Sequence, residues 1–303
     1  MTADPKIWRK LGLILTPRPE LWWWRTHCMV PTPEMMEGSL CRLYFSGRDD
    51  RNRSHIGWAI VDLDREGAVV EVSAEPVLAP GALGCFDDNG VTPSCVIEID
   101  SRKFLYYIGW NPGSTTLMNI FGGLAISDDG GNAFERWSHA PILERCPTDP
   151  YINTAPFVIH HGGGYRMYYV SGVGWDDPDS PRYLIKTATS DDGAHWRRDG
   201  TVCLDFAGPH ETALARPYVM RENGVYKMWF AHKGDAYRLG YAESEDGIVW
   251  RRRDEPSGLD VSEDGFDSAM IEYAAVVEHG GRKFMFYNGN NYGHGGIGLA
   301  VEE

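Results

Sequence analysis

Short runs of apolar and aromatic residues recur along the chain, and turn-forming residues bound each of them. Three runs with an aromatic ending occupy residues 104–107, 165–169 and 226–230. Runs of this length, separated by Gly, Asp and Asn, are typical of β-strands, and no long window repeats its apolar residues at helical spacing. The hydrophobic pattern therefore predicts an all-β protein.

A Ser-x-Asp-Gly phrase with a later tryptophan follows each of these runs. The phrase occupies residues 127–130, 190–193 and 244–247, and the tryptophans are Trp137, Trp196 and Trp250. A repeated phrase indicates one structural unit built several times. Asp-Gly between two strands is a hairpin signal, because Gly adopts positive φ and Asp binds its own turn backbone. We expect the acids of the phrase to stabilise turns and the tryptophans to pack between units.

Aligning the first strand of each unit gives five copies, near residues 26–30, 91–96, 154–159, 215–220 and 271–276. Four antiparallel strands in roughly 60 residues are typical of a propeller blade. The last unit ends at its third strand, residues 296–301, and residues 8–15 would supply the missing outer strand and cover a free sheet edge. The sequence thus predicts a five-bladed β-propeller with four-stranded antiparallel blades, forming a single domain over residues 1–303.

Blade topology indicates where chemistry can occur. The start of each first strand and the loop between the second and third strands meet at one mouth of the central channel, whereas the Ser-x-Asp-Gly turns lie at the opposite rim. One position before the aligned proline, or its equivalent, the five copies carry different residues, namely His27, Thr92, Ala155, Arg216 and Glu272. The residues that differ between blades at this mouth are the candidates for function.

Carboxylates near this mouth fall into two groups. Asp87, Glu211 and Asp267 share one register in three blades, which indicates a repeated structural role, and we expect Asp87 and Asp267 to cap or to join blades. Asp88 and Glu272 have no counterparts in the other blades. Glycosyl transfer uses two carboxylic groups placed across a sugar. Asp88 and Glu272 are therefore the first catalytic candidates, with Glu211 as a further one.

Aromatic, amide and charged side chains in the loops at the mouth suit a sugar, which offers an apolar face and hydroxyls that need both donors and acceptors. The alternative for Trp110 and Trp175 is that they only fill blade ends. The predicted substrate-binding residues are His27, Arg48, Asp49, Trp110, Asn153, Trp175, Arg216, His232, Lys233, Asn290 and Tyr292.

The formal charge of −14 and the isoelectric point near 5.1 disfavour nucleic acid and anionic membranes as partners. The sequence has no apolar stretch of signal-peptide or membrane-spanning length, so a cytoplasmic protein is expected. Single, scattered cysteines show no zinc-type spacing, and no motif asks for a cofactor or metal. The expected partner is a small carbohydrate or a sugar phosphate, and the oligomeric state stays open.

Several phrases carry a resemblance to a known group over nearly the whole chain. They are Pro-x-x-Val in the first strands, the aromatic second strands, Ala-x-Ser-x-Asp-Gly-x-x-Trp at residues 242–250, and Phe-Asp at residues 86–87 and 266–267. In these phrases the chain resembles the five-bladed propeller glycosidases, which include arabinanases, xylosidases, invertases and levansucrases. It is also similar to mannoside phosphorylases and to glycosidase-like proteins associated with bacterial polysaccharide synthesis.

The resemblance implies a catalytic set with an Asp in the first blade, an Asp in the second and a Glu in the third. This chain departs from that set, because its first blade has Arg25, Thr26 and His27, and its third blade offers Asp149 and Asn153. Asp88 or Asp87 matches the second-blade position. Some relatives hold a channel calcium near a histidine, and the alternative for His27 is a hydrogen bond to a carboxylate or ligand.

Three functions remain open at this point. The first is a glycoside hydrolase-like enzyme that acts on a small sugar or oligosaccharide in the channel. The second is a phosphorylase, or a transferase that uses a phosphorylated or nucleotide sugar, because His27, Arg48, Arg216, His232 and Lys233 form a cationic set that could bind phosphate. The third is a sugar-binding propeller without catalytic activity.

Overall fold

The computed structural model describes residues 8–253 and 258–303, and these residues form a β-propeller. Their twenty strands group into five antiparallel sheets of four. Blade 1 holds β2 to β5, and each later blade takes the next strands in order. The strands of blades 1 and 2 are β2 Thr26–Met35, β3 Leu40–Arg48, β4 Ser54–Asp62, β5 Ala68–Val72, β6 Gly90–Ile99, β7 Arg102–Pro112, β8 Met118–Ser127 and β9 Glu135–Arg136.

Blades 3 to 5 repeat the same order, and the outer strand of blade 5 comes from the start of the described chain. Their strands are β10 Asn153–His161, β11 Gly164–Asp177, β12 Ser180–Ser190, β13 Val202–Leu204, β14 Ala213–Glu222, β15 Val225–Lys233, β16 Tyr237–Ser244, β17 Arg251–Arg252, β18 Glu272–His279, β19 Arg282–Asn288, β20 Ile297–Glu302 and β1 Trp8–Leu15. Within these described residues, helical structure is limited to a 3₁₀ turn at Leu63–Arg65 and the turn Asn290–Gly293. No helix in the described part of the chain is long and apolar enough to cross a membrane.

The ring closes as the sequence predicts. Strand β1 pairs antiparallel with β20, with Trp8 opposite Glu302 and Leu15 opposite Ile297. Asn288 then joins blade 5 to blade 1, since its Oδ1 accepts from the Val30 amide at 2.8 Å and its Nδ2 donates to the Cys28 carbonyl at 2.7 Å. These contacts hold the inner strands of the first and last blades side by side.

The Ser-x-Asp-Gly phrases form turns, as expected, and they also join blades. In each turn the serine hydroxyl accepts a backbone amide, for example from Gly193 to Ser190 Oγ at 2.8 Å. The turn carbonyl accepts the tyrosine hydroxyl of the preceding blade, as in Tyr106 to Gly193 at 2.8 Å and Tyr168 to Gly247 at 2.9 Å. The turn therefore fixes both its own hairpin and the spacing to the next blade.

The three tryptophans divide between packing and exposure. Trp250 is buried against Tyr168 of blade 3, with ring centroids 5.6 Å apart, and Trp196 packs at the edge of Tyr106 of blade 2. The expectation of packing between blades is thus confirmed for these two. Trp137 is 48% exposed and meets His195 edge-on. It stands ten residues after Ser127, whereas the other two tryptophans stand six residues after their serines, and Phe134 packs against Tyr44 of blade 1 in its place.

Candidate active site at the channel mouth

A β-bulge interrupts the inner strand of each blade near the mouth. In four blades the bulge holds a non-glycine residue at positive φ, namely His27 (60°), Ala155 (48°), Arg216 (49°) and Tyr273 (58°). Such a conformation costs on the order of 1–3 kcal/mol and occurs most often at functional sites. Because a bulge re-aims the side chain it carries, these residues leave the regular alternation of the strand.

The bulges correct the sequence alignment of blade 5. Glu272 pairs with Asn288, just as Thr154 pairs with Val170 and Ala215 with Ala231, one residue before the bulge in each case. The residue equivalent to His27 and Arg216 is therefore Tyr273, not Glu272. The aligned proline does not reveal this shift because blade 5 has no proline at that place.

A cluster of tyrosines surrounds Glu272. The hydroxyl groups of Tyr183 and Tyr237 form a hydrogen bond across the boundary of blades 3 and 4. The Tyr237 ring lies 6.4 Å from the Tyr273 ring and 6.2 Å from the Tyr292 ring, and the Lys233 ammonium lies 5.7 Å from it. We call this group the Glu272 cluster; its members are Glu272, Lys233, Tyr183, Tyr237, Tyr273 and Tyr292.

The carboxyl group of Glu272 is unusual in its surroundings. It is 0% exposed, and neither oxygen has a hydrogen-bond partner within the residues that the structure describes. Burial raises the pKa of Glu272 well above its ordinary value. The nearby Tyr273 hydroxyl and Lys233 ammonium lower this pKa, but by a smaller amount than burial raises it. Glu272 therefore holds its proton to a higher pH than an ordinary glutamate does, which suits a proton donor.

Three basic residues, His27, Arg48 and His294, lie next to this cluster. The rings of His27 and His294 meet edge to face with centroids 5.0 Å apart. Burial, followed by the charges of Arg48 and His294, lowers the pKa of His27 to about 4, so its ring is neutral at pH 7. Arg48 donates to Asn52 Oδ1 at 2.9 Å, and its charge also interacts with the Tyr273 hydroxyl. His27, Arg48 and His294 thus border the Glu272 cluster through Tyr273.

Most other carboxylates at this rim belong to ion pairs within their own blades. Asp87 accepts from Tyr107 Oη at 3.0 Å and from Arg136 Nε on the outer strand at 2.8 Å. Asp267 repeats this arrangement with Tyr287 at 3.1 Å and Lys10 at 2.6 Å. We call this arrangement a carboxylate clamp. These bonds give Asp87 and Asp267 a structural role, but they lie within one blade, so the expected hydrogen bonding between blades is not found for these side chains among the described residues.

Asp149 and Glu211 form the clamps of blades 3 and 4. Asp149 accepts from Tyr169, Ser171, Lys186 and Arg198, with distances of 2.9 to 3.3 Å. Burial raises the pKa of Asp149, but the Lys186, Ser171 and Tyr169 contacts outweigh it and lower the pKa overall.

Glu211 holds both nitrogens of the Arg252 guanidinium, at 2.6 and 2.9 Å, and His232 Nδ1 at 3.0 Å. Burial raises the pKa of Glu211, yet the bonds from His232 and Arg252 lower it to about 2. Glu211 is thus an ionised partner of Arg252, and His232 is one of its donors. This geometry favours a structural role for both, in place of the catalytic and binding roles predicted from sequence.

Two further acids are held by their own loops. Asp49 is buried and accepts from the amides of Arg51 and Arg53, from Arg53 Nε and from His55 Nε2, at 2.9 to 3.1 Å. Asp88 is half-buried and accepts the Gly84 amide at 2.8 Å. No hydrogen bond or ion pair joins Asp88 to Glu272 in the described ranges, so their pairing stays a prediction.

The remaining predicted binding residues are largely engaged within the protein. Trp110 donates to Ser54 Oγ at 2.9 Å across the blade boundary, and Asn153 is fully buried and donates to the Asp149 carbonyl at 3.0 Å. Asn290 Oδ1 accepts the amides of residues 269 and 270. Trp175 is half-buried on the β11–β12 hairpin. Of these four side chains, Trp175 keeps the most freedom to meet a ligand.

Arg216 lies inside the channel and not at its mouth. It is 1% exposed and donates to the Pro31 carbonyl at 2.7 Å, to Thr32 Oγ1 at 3.0 Å and to the Ala274 carbonyl at 3.4 Å. It therefore ties blade 4 to blades 1 and 5. This placement does not support direct substrate contact by Arg216.

Sequence reasoning missed four residues of this region, Tyr183, Tyr237, Tyr273 and His294. Tyr237 begins β16 and Tyr183 is the fourth residue of β12, and at both positions the third strand of the blade meets the next inner strand. That position follows directly from blade topology, so the aromatic pair was detectable. Among the described residues there is no group of three His, Cys, Asp or Glu side chains that could hold a metal ion.

Comparison with known proteins gives close sequence matches and many distant structural ones. "Uncharacterized protein Rv1502" of Mycobacterium tuberculosis is 46% identical over 297 residues, which cover 98% of this chain and 99% of the relative. No family model matches the chain.

Among solved structures, one described as "Glycoside hydrolase" has a TM-score of 0.77 at 18% identity, over 99% of this chain and 93% of the other. A thermostable family-43 glycoside hydrolase gives 0.69 at 17%, over 91% and 89%. A third, from a study of GH130 mannoside phosphorylases and hydrolases that target β-1,2 mannosidic linkages in Candida mannan, gives 0.72 at 13%, over 99% and 95%. At these identities the likeness establishes a shared fold.

Proposed function

Because the chain belongs to the same family as Rv1502 of Mycobacterium tuberculosis, which carries no assigned activity, we propose a function from the site itself. We propose that the protein is a glycoside-active enzyme that binds a small sugar or oligosaccharide at the channel mouth, with Glu272 as the proton donor to the departing sugar oxygen. The observation that carries this proposal is the fully buried Glu272 carboxyl, which makes no hydrogen bond of normal geometry in the described part of the chain and has a pKa well above its ordinary value.

A carboxyl group that is buried without a partner destabilises the folded protein, so a functional role would explain the presence of Glu272 at this mouth. A general acid at neutral pH needs a raised pKa, and an apolar, aromatic enclosure is a common way to raise it. Glu272 has such an enclosure, formed by tyrosine rings whose hydroxyl groups can also bind sugar hydroxyls.

Access to Glu272 requires a side chain of the cluster to move. Tyr292 is the most exposed tyrosine of the cluster, at 43%, and lies in a turn where both it and Asn291 have positive φ. We expect substrate to displace the Tyr292 ring and to contact the carboxyl from that side. Tyr292→Ala should then change KM more than kcat, because it alters entry and not proton transfer.

The second reactant separates two versions of the function. In hydrolysis a second carboxylate, for which Asp88 remains the proposed residue, would activate water or form a covalent intermediate. In phosphorolysis, phosphate would attack instead, and Arg48, Lys233 and the two histidines would bind it. This second version is favoured by the cationic Arg48 and Lys233 near the buried carboxyl of Glu272, in a protein of net charge −14.

One assay series tests the proposal. Purified protein is incubated with aryl glycosides and with β-linked mannosides, which the GH130 likeness makes reasonable first substrates, with and without inorganic phosphate. We expect bond cleavage, and Glu272→Gln should reduce kcat by about 10²–10⁴-fold, the usual contribution of a general acid. Asp128→Asn, an exposed turn residue at the opposite rim, serves as the matched control.

The outcomes separate the alternatives. A strict requirement for phosphate would select phosphorolysis, and cleavage without phosphate would select hydrolysis. Retained turnover in Glu272→Gln would reject the proposed acid. Saturable sugar binding without any cleavage would reject an enzyme and leave a sugar-binding propeller.

A further inference from the structure

Arg216 is a buried cation whose charge has no acidic partner. Its guanidinium is 1% exposed and donates only to two carbonyl oxygens and one hydroxyl, those of Pro31, Ala274 and Thr32. Within residues 8–253 and 258–303 no carboxylate forms an ion pair with it. Burial lowers the pKa of Arg216 to about 10, so it still carries its charge at neutral pH.

One hydrogen-bond donor of this group is unused. The Arg216 Nε–H is buried and has no acceptor among the described residues. A buried donor of a charged group without an acceptor costs several kcal/mol, more than a neutral one. The conformation does not result from a relaxed backbone either, because Arg216 has a φ of 49°.

The inner strands around this guanidinium offer more unused donors. Ser94 Oγ on β6 and Thr154 Oγ1 on β10 are buried and have no partners in the part of the chain that the structure describes. The Cys95 thiol, next to Ser94, is close enough to Arg216 for the guanidinium charge to lower its pKa, although burial raises that pKa overall. A cation with hydroxyl groups on the neighbouring strands has the chemistry of an anion site.

We propose that the central channel binds one small monovalent anion, chloride in physiological solution, on the Nε side of Arg216. The ion neutralises the buried guanidinium and accepts its unused hydrogen bond. It lies inside the ring, and its binding stabilises the contacts by which Arg216 joins blades 1, 4 and 5. The site lies near Tyr273 of the Glu272 cluster, but its tests measure ion binding and stability and do not depend on the proposed enzymatic function.

Bromide diffraction tests the site directly on the unmodified protein. Crystals grown with bromide in place of chloride are measured at the bromine absorption edge. We expect an anomalous peak in hydrogen-bond contact with Arg216 Nε. Density there without anomalous signal identifies water and overturns the proposal.

A measurement in solution provides a second test of the site. The Tm is followed against chloride concentration, with gluconate keeping the ionic strength constant. We expect the Tm to rise with chloride in the wild type, because a ligand that binds only the folded state stabilises it, and to be independent of chloride in Arg216→Gln. Should that variant not fold, the wild-type titration and the diffraction data still decide.

Arg166 provides the matched control. Its Nε is also buried without an acceptor, but it lines a surface cavity at the opposite rim. Arg166→Gln should keep the chloride dependence of the wild type. Loss of that dependence in Arg166→Gln, or a Tm that is independent of chloride in the wild type, contradicts the proposed site.

Discussion

Asp149 and Glu272 are both completely buried near the channel mouth, yet their surroundings are opposite. Asp149 precedes the inner strand of blade 3, and Glu272 begins that of blade 5. Several side-chain donors, among them the cations Lys186 and Arg198, contact Asp149 and lower its pKa against the effect of burial. Glu272 makes no hydrogen bond of normal geometry in the described ranges, and burial raises its pKa. Burial alone therefore does not determine what a carboxyl group does. Arg198, near the outer strand of blade 3, reaches Asp149, whereas no described cation of blade 5 forms an ion pair with Glu272.

The largest expected effect comes from opening a clamp. Asp149→Ala leaves the buried Lys186 ammonium without its carboxylate, while Arg198 keeps its ion pair with Glu144, so we expect the free energy of unfolding to fall by roughly 3–5 kcal/mol. Urea unfolding measures this change. Asp128→Ala, at an exposed turn position, should change it by no more than about 0.5 kcal/mol. Equal effects of the two substitutions would show that the clamp contributes nothing particular.

A smaller effect is expected from acid titration of the Glu211 clamp. Its pKa in the folded state is about 2, against an ordinary 4.5, so its stabilisation is complete above pH 4.5 and is lost as the pH falls toward 2. A shift of this size corresponds to roughly 3 kcal/mol. Unfolding measured from pH 2 to pH 6 should therefore depend less steeply on pH in Glu211→Gln than in the wild type. An unchanged slope would mean that Glu211 titrates normally.

The smallest change in stability is expected at Glu272, and its sign with pH is reversed. Because the folded pKa is raised, the unfolded chain ionises first, and stability declines as the pH rises above 4.5. Glu272→Gln removes that decline and should leave stability at pH 5 within about 1 kcal/mol. Unfolding curves at pH 5 and pH 8 give both values. A strongly destabilised Glu272→Gln at pH 5 would reveal a structural partner for this carboxyl.

The fold was accessible from sequence because its signals are local. The Ser-x-Asp-Gly turn, the apolar strands and the repeat length each act over a few residues, and together they define blades. The closing strand was also predictable, because the last unit lacks its outer strand and residues 8–15 have the pattern of a β-strand.

The site was only partly accessible, because partners come from distant strands. Sequence reasoning named Glu272, Lys233 and Tyr292, and the structure brings these three together. The sequence does not indicate that Arg252 and His232 bind Glu211, because a β-strand pattern does not show which side chains meet across a blade. Sequence reasoning also placed Glu272 one position off, because blade 5 has no proline to mark the register of its inner strand.

The pairing of Trp8 with Glu302 means that the two ends of the described chain lie side by side on one blade. A closed ring of similar blades has no obligatory starting point, so the position of the break is a matter of chain connectivity and not of packing. Circular permutants that join these ends and open a turn at the rim opposite the Glu272 cluster should therefore assemble the same ring. Comparing the stability of permutants with the break in different blades would show which junction between blades contributes most to the ring.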